Sequence, residues 1–159
     1  MLLGLGAVAV LLHQALRSPL HLPGRQGLVW MALLVVGRQR SGMPLAATTA
    51  GLGAGTFALA SFLDPLTGFL YAFTGAALDW AWARWPVLQR SLWAVGLACG
   101  LLHALKPLLR YAMAFPAAAP HASLAVGLLY PLTTHFLFGA AGALGALLLL
   151  KGVAHTRRP

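Results

Sequence analysis

Long apolar stretches follow one another along almost the whole chain, separated by short segments that carry charges, prolines or glycines. Hydrophobic residues make up 60% of the 159 residues and charged residues only 8%, and the mean hydropathy is +0.81. A soluble domain is about half apolar and about one quarter charged. A chain this apolar does not stay dispersed in water, so the sequence predicts an all-α integral membrane bundle.

The length of the chain sets the number of crossings. A helix needs about 20 residues to span a bilayer, so 159 residues allow about six transmembrane helices in one transmembrane domain, 1–159, with no separate extramembrane domain. The apolar stretches place these helices near 1–16, 26–37, 44–63, 66–84, 87–109 and 123–151. The second is too short for a core of about 30 Å unless it tilts or is partly re-entrant. Pro131 is expected to kink or interrupt the last helix.

The charges predict the orientation. Eleven Lys and Arg face only two Asp, giving a formal net charge of +9, and the basic residues lie singly or in pairs rather than on one face. This distribution indicates topology signals and lipid headgroup contacts rather than nucleic-acid binding. With the N-terminus inside, seven basic residues lie on the inner side and four on the outer side. We therefore expect a multi-pass protein of the cell inner (plasma) membrane with both termini cytoplasmic, with five or seven spans as alternatives.

Small residues recur at spacings of four on two of the predicted helices. In the third helix Ala47, Gly51 and Gly55 share one face, and in the sixth Gly139 and Gly142 continue the pattern. Small residues let helix backbones approach closely in a membrane. The pattern is explained either by packing inside the bundle or by docking to another protein, and both hold if different faces are used.

The two acidic residues have different predicted roles. Asp79, at the inner end of the fourth helix, is interpreted as an interfacial anchor paired with Arg84, five residues on; a latch on a partner or a proton site is the alternative. Asp64 precedes Pro65 and is expected to form a turn or the N-cap of the fourth helix.

Residues for catalysis or metal binding do not form a recognisable pattern. The six histidines lack HxxxH or HExxH spacing, no Gly-x-Ser-x-Gly motif or phosphate-binding glycine loop occurs, and the two carboxylates lie on opposite predicted sides. We expect no catalytic residues, metal or cofactor, and interpret the chain as not an enzyme. Thr133, Thr134 and His135 either bind a ligand or hydrogen-bond across helices.

Several stretches together resemble the substrate-binding S components of energy-coupling factor (ECF) transporters. They are MPLAATTAGLGAGTFALASF, then GFLYAFTGAALDWAWARW with its G-x-x-x-D pattern, and HFLFGAAGALGALLLLKG. The resemblance covers about two thirds of the chain, including a short second helix and a Gly/Ala-rich third helix. One departure is that Ala7 is followed four residues later by Leu11, where the family commonly has Ala-x-x-x-Ala on its first helix.

The resemblance implies a membrane-embedded subunit that captures a vitamin or related micronutrient from the outer face. Its implied partners are this small-molecule substrate, a transmembrane coupling subunit with its ATPases, and the lipid bilayer, but no nucleic acid. The implied substrate-binding residues are cationic, aromatic or hydroxylic and lie at the outer side: Arg17, His21, Arg25, Tyr71, Lys106, Arg110, Tyr111, Tyr130, Thr134 and His135. Their balance favours a substrate with an anionic group and a flat ring. The implied docking residues are mostly small: Gly4, Ala7, Gly51, Gly55, Asp79, Gly139 and Gly142.

Two other classes of function are alternatives. The first is an accessory or structural small membrane protein that binds no solute and uses its small-residue faces for assembly. The second is a membrane enzyme that modifies lipids with His and Asp side chains.

Overall fold

The computed structural model describes residues 1–15, 22–114 and 122–156, and throughout these ranges the regular secondary structure is helical. The predicted all-α class is therefore confirmed. Seven helices lie in the described ranges: α1 (Leu2–Ala15), α2 (Gln26–Arg40), α3 (Ala46–Ala60), α4 (Pro65–Arg84), α5 (Val87–Arg90), α6 (Leu92–Ala114) and α7 (Ala122–Thr156).

Besides shifts of a few residues at several helix ends, three features of the helices differ from the prediction. The segment predicted as one helix over 87–109 is two helices, because Ser91 is extended (φ −117°, ψ 121°) and its hydroxyl accepts a hydrogen bond from the Ala94 N–H at 3.3 Å. Helix α2 has 15 residues rather than about 12, which gives it a length of about 22 Å. Helix α7 continues through Pro131, so of the two expected effects, a kink or an interruption, the interruption is wrong.

Two groups of three helices make up the bundle. Helix α3 packs against α1 and α4, while α7 packs against α2 and α6, and α2 also touches α1 and α3. Small residues bring the backbones together: a Cβ at Gly53 would overlap the Leu3 carbonyl, and one at Gly6 would overlap the Ala50 carbonyl. Packing inside the bundle is thus confirmed as a role of the small residues.

Successive long helices run in alternating directions, which gives the bundle two ends. At one, the Asp64 end, Asp64 pairs with Arg110, and His103 bonds to Gly24. At the other, the Asp79 end, Asp79 pairs with Arg38. The two acidic side chains of the sequence therefore lie at opposite ends of the bundle, as predicted.

The outer surface of the bundle is apolar. Large hydrophobic side chains are strongly exposed along its sides, including Trp93 (76% exposed), Leu149 (73%) and Phe69 (60%), whereas Thr67, Thr74, Asp79, His103 and His135 are buried. Two stretches among the described residues, Leu92–Met113 and Gly127–Val153, are long and apolar enough to cross a membrane. Helices α1, α2 and α3 have only 14 or 15 residues each, and α4 contains Asp79 and Arg84.

Candidate functional site

A cleft opens between α6 and α7 at the Asp64 end. It has a volume of about 470 Å³. Helix α6 contributes Lys106 and Arg110, which lie four residues apart on one face, together with Pro107 and Tyr111. The other wall comes from α7 and the segment before α2: Gly127, Leu128, Pro131, His135 and Pro23. The polar side chains of the cleft are thus basic or neutral.

Two histidines pack against each other behind the cleft: His135 lines the cleft, and His103 lines a smaller cavity further in. The rings of His103 and His135 lie with centroids 5.0 Å apart and planes tilted by 31°, and each side chain is 6% exposed. One ring nitrogen of each is held by a backbone carbonyl: His103 Nε2 lies 3.0 Å from Gly24 O, and His135 Nδ1 lies 2.7 Å from Pro131 O. These bonds fix both rings, because a nitrogen that donates to a carbonyl cannot rotate away without losing its acceptor.

A glycine is required where the α1–α2 connection meets this pair. Gly24 has φ +80°, and a Cβ there would lie 2.6 Å from His135 Cα and 2.7 Å from its ring. Only a residue without a side chain adopts this backbone conformation in this space without strain. The chain at Gly24 is thereby held close to α6 and α7.

A small polar cavity lies behind the cleft, inside the bundle. Its volume of about 20 Å³ has room for about one water molecule. Gln26, Thr67, Thr74, His103 and Lys106 give it polar walls, and Trp30, Leu70, Tyr71 and Leu102 complete it. Lys106 lines both this cavity and the cleft, so it lies at the boundary between the two spaces.

Aromatic and hydroxyl groups cross-link the helices around this cavity. Trp30 Nε1 donates to Thr74 Oγ1 at 3.2 Å, and the Trp30 ring meets the Tyr71 ring edge to face at 4.7 Å. The Tyr71 hydroxyl lies 2.9 Å from His13 Nδ1. Helices α1, α2 and α4 are therefore joined by polar contacts where lipid would otherwise leave these groups without partners.

An ion pair flanks the cleft on its α4 side. Arg110 Nη2 lies 2.7 Å from Asp64 Oδ2, and Asp64 also caps α4 by accepting hydrogen bonds from the Thr67 N–H (2.9 Å) and hydroxyl (2.6 Å). The predicted N-cap is thus confirmed. Partial burial acts to raise the pKa of Asp64, but the Thr67 hydrogen bonds and the charges of Arg110 and Lys106 outweigh it, so this pKa lies below the ordinary 3.8.

The predicted substrate-binding residues fall into four groups. Four of the ten meet in the cleft: Lys106, Arg110, Tyr111 and His135. Tyr71 lies on the inner cavity instead, while Arg25, Tyr130 and Thr134 are outside both sets of lining residues. Arg17 and His21 lie outside the described residues.

His103 was not among the candidate site residues predicted from the sequence, although its spacing from Lys106 and Arg110 could have indicated it. His103, Lys106 and Arg110 are spaced three and four residues apart, which places them on one face of α6. The hydroxyls of Thr133 and Thr134 instead donate to carbonyls of their own helix, at 2.8 Å (Leu129) and 3.0 Å (Tyr130). The expectation that they hydrogen-bond across helices is wrong for these two residues.

A second polar cluster lies at the Asp79 end. Asp79 is 3% exposed, and its Oδ2 accepts hydrogen bonds from both the N–H and the hydroxyl of Thr48, each at 2.7 Å. Arg38 Nε lies 3.2 Å from Oδ1, but its N–H is not aligned for a hydrogen bond, so this contact is an ion pair alone. The predicted partner Arg84 was wrong, and Asp79 joins α2, α3 and α4.

Most residues predicted to dock a partner are occupied within the bundle. A Cβ at Gly51 or Gly55 would crowd carbonyls of α4, and one at Gly139 or Gly142 would crowd α6 or α2. Gly4, by contrast, has open space around it, and Ala7 is half-buried.

Comparison with protein-family models, with curated proteins and with solved structures finds no match for this chain.

Proposed function

We propose that this chain is a multi-pass membrane protein that binds a small anionic solute, as the substrate-binding subunit of an ECF-type importer. The observation that carries the proposal is the cleft, where Lys106, Arg110, Tyr111 and His135 line a space of about 470 Å³. Sites for small molecules have volumes of about 300 to 1,000 Å³ and a few convergent polar groups. The cleft has both properties.

The apolar exterior supports residence in the membrane. A water-soluble monomer exposes few contiguous apolar patches, whereas this bundle exposes Leu, Phe and Trp side chains along its length and buries His103 and His135. In a bilayer this arrangement is favourable, because lipid solvates the apolar faces and the polar groups satisfy each other inside. Two stretches with the length and composition of a membrane span support the same conclusion, and six crossings are part of the proposal.

The distribution of positive charge supports an outward-facing cleft. In the described ranges the Asp79 end carries more basic residues than the Asp64 end, which carries Arg25, Lys106 and Arg110. Those at the Asp79 end are Arg38, Arg40, Arg84, Arg90 and Lys151. Basic residues favour the cytoplasmic side, so we place the Asp79 end and both termini there.

The chemistry of the cleft favours a substrate with an anionic group and a flat ring. Lys106 and Arg110 carry the positive charges, and an arginine binds a carboxylate or phosphate through two parallel hydrogen bonds. Tyr111, Pro107 and Pro131 offer flat apolar surfaces against which a ring packs. A vitamin or vitamin precursor with a carboxylate or phosphate has this composition.

Uptake against a gradient needs an energy source, and the sequence contains no phosphate-binding glycine loop. We therefore assign energy coupling to partners, a transmembrane coupling subunit with its ATPases, as the resemblance to S components implies. Co-purification of an ATPase with the tagged chain from its own membrane tests this assembly separately from solute binding.

Thermal unfolding of the detergent-purified chain against a panel of carboxylated and phosphorylated vitamins and precursors tests solute binding. A ligand at one hundred times its Kd stabilises the folded state by about 2.7 kcal/mol. We expect one compound to raise the unfolding temperature, and Arg110→Ala and Lys106→Ala to remove this shift. Lys151→Ala, which removes one exposed charge at the other end, is the matched control and should retain it. If no compound of the panel raises the unfolding temperature, the alternative of an accessory protein that binds no solute is favoured.

A further inference from the structure

An apolar groove runs between α4 and α6 on the outside of the bundle. Its volume is about 370 Å³. On α4 it is lined by Ala77, Trp80 and Ala81, and on α6 by residues at helical spacing from Ala94 to Leu102, a length of about 12 Å. Small residues on both walls keep the groove open.

Two arginines stand at the end of this groove where α5 closes it. Arg84 follows Ala77, Trp80 and Ala81 at spacings of seven, four and three residues, so it lies on the groove face of α4. Arg90 is three residues after Val87, another groove residue, on α5. Both arginines are exposed. The apolar groove therefore ends at a pair of positively charged side chains.

The side chains of the protein do not neutralise this pair. The sequence has two carboxylate side chains; Asp64 pairs with Arg110 and Asp79 with Arg38. A counter-charge for Arg84 and Arg90 has to come from outside these side chains. Trp80 and Trp85 line the groove and meet edge to face, with ring centroids 5.1 Å apart. Tryptophan is enriched at the depth of the membrane where lipid headgroups begin.

We infer that this groove binds one anionic phospholipid, with an acyl chain along α4 and α6 and its phosphate at Arg84 and Arg90. An acyl chain fits the apolar walls, and the headgroup supplies the missing negative charge. Each arginine near an anionic lipid surface contributes about fivefold in affinity. The inference requires residence in the membrane but not solute binding in the cleft. The lipid site can therefore exist even if the cleft binds no solute.

Tryptophan quenching by brominated lipids tests the site, because Trp80 and Trp85 line it. The full chain in detergent micelles is titrated with phosphatidylglycerol or phosphatidylcholine brominated on the acyl chain. We expect the phosphatidylglycerol to quench at an about 25-fold lower lipid fraction than the phosphatidylcholine. Arg84→Ala combined with Arg90→Ala should remove this preference, and Lys151→Ala should keep it. Replacing both Trp80 and Trp85 by Phe should remove the preferential quenching.

Equal quenching by the two lipids would overturn the inference, as would an equal loss in Lys151→Ala or an unchanged preference in the double arginine variant. Ala98→Phe provides a test that leaves both arginines in place, since it fills the groove from α6. Retained preferential quenching in Ala98→Phe would also overturn the inference. A fluorescence change that depends on protein concentration rather than on lipid would overturn it too, because it would indicate a second copy of the chain in the groove.

Discussion

Arg38 and Asp79 form an ion pair at one end of the bundle, with Arg38 Nε 3.2 Å from Asp79 Oδ1 and the carboxylate almost fully buried. The guanidinium has two further contacts: it donates to the Met43 carbonyl at 3.1 Å and lies 5.6 Å from the centroid of the Trp82 ring. With Thr48 on the other carboxylate oxygen, the pair connects three helices. Its removal should therefore affect the whole bundle.

Asp79→Ala is expected to destabilise the fold by about 3 to 5 kcal/mol, because it leaves Arg38 without its counter-charge and the two Thr48 donors without an acceptor. Asp79→Asn should cost less, since its amide oxygen still accepts from Thr48. Thermal unfolding in detergent measures both. Lys151→Ala, which removes an exposed charge at the same end, is the control and should change stability by less than about 0.5 kcal/mol. Equal effects of Asp79→Ala and Lys151→Ala would contradict a structural role for the pair.

Gly53→Ala should destabilise the bundle by about 1 to 3 kcal/mol. The added methyl group would overlap the backbone of Leu3, which cannot move aside as a flexible side chain would. Gly145→Ala is the matched control, because it lies in α7 with open space around it and should gain about 0.5 to 1 kcal/mol in helix stability. The two variants differ in contact and not in chemistry, so similar unfolding temperatures would show that α1 and α3 are not this close.

The stability of the protein should depend on Asp64 at acid pH. Its pKa in the folded chain is below the ordinary 3.8, so the unfolded chain takes up the proton first. Asp64 therefore contributes stability above pH 3.8, and this contribution is lost as the pH falls from there through the lowered pKa. The pair is exposed, so the effect is modest. The unfolding temperature should fall more between pH 6 and pH 3 for the wild type than for Asp64→Asn. An equal fall in the two proteins would contradict the prediction.

Cysteine labelling tests the proposed topology, and the wild type is the unlabelled control. Cys99, the single cysteine of the sequence, is fully buried and should not react with a membrane-impermeant maleimide. Phe62→Cys, in the turn between α3 and α4, should react in intact cells, whereas Gly42→Cys, between α2 and α3, should react only after lysis. Reaction of both from the same side would rule out α3 as a membrane crossing.

Helix positions were predictable from sequence because apolar runs and their breaks are local. The ends of α4 at Pro65 and Arg84 fall within one residue of the prediction, since Asp64 and Pro65 form a start signal that needs no tertiary contact. The break at Ser91 was missed, because the polar residues Gln89, Arg90 and Ser91 near the start of an apolar segment do not identify their own backbone conformation.

The partners of the charged residues were less predictable. Arg84 is five residues from Asp79 along one helix, which turns it about 140° away around the axis, so the two side chains face different directions. Arg38 reaches Asp79 only because α2 and α4 pack in one bundle. In the cleft, Lys106, Arg110 and Tyr111 share one helix and were predicted together, whereas the contact of His103 with His135 depends on how α6 meets α7.

Arg110 is already occupied by a carboxylate of the same chain. An anion that enters the cleft therefore competes with Asp64 for Nη2 of this arginine, and the effective concentration of Asp64 is set by the turn before α4. The protein in this sense carries a tethered competitor for its proposed solute. Arg110 would discriminate between solutes by how strongly the anionic group of each competes with the Asp64 carboxylate. Asp64 would therefore exclude a weakly acidic solute more easily than a doubly charged one.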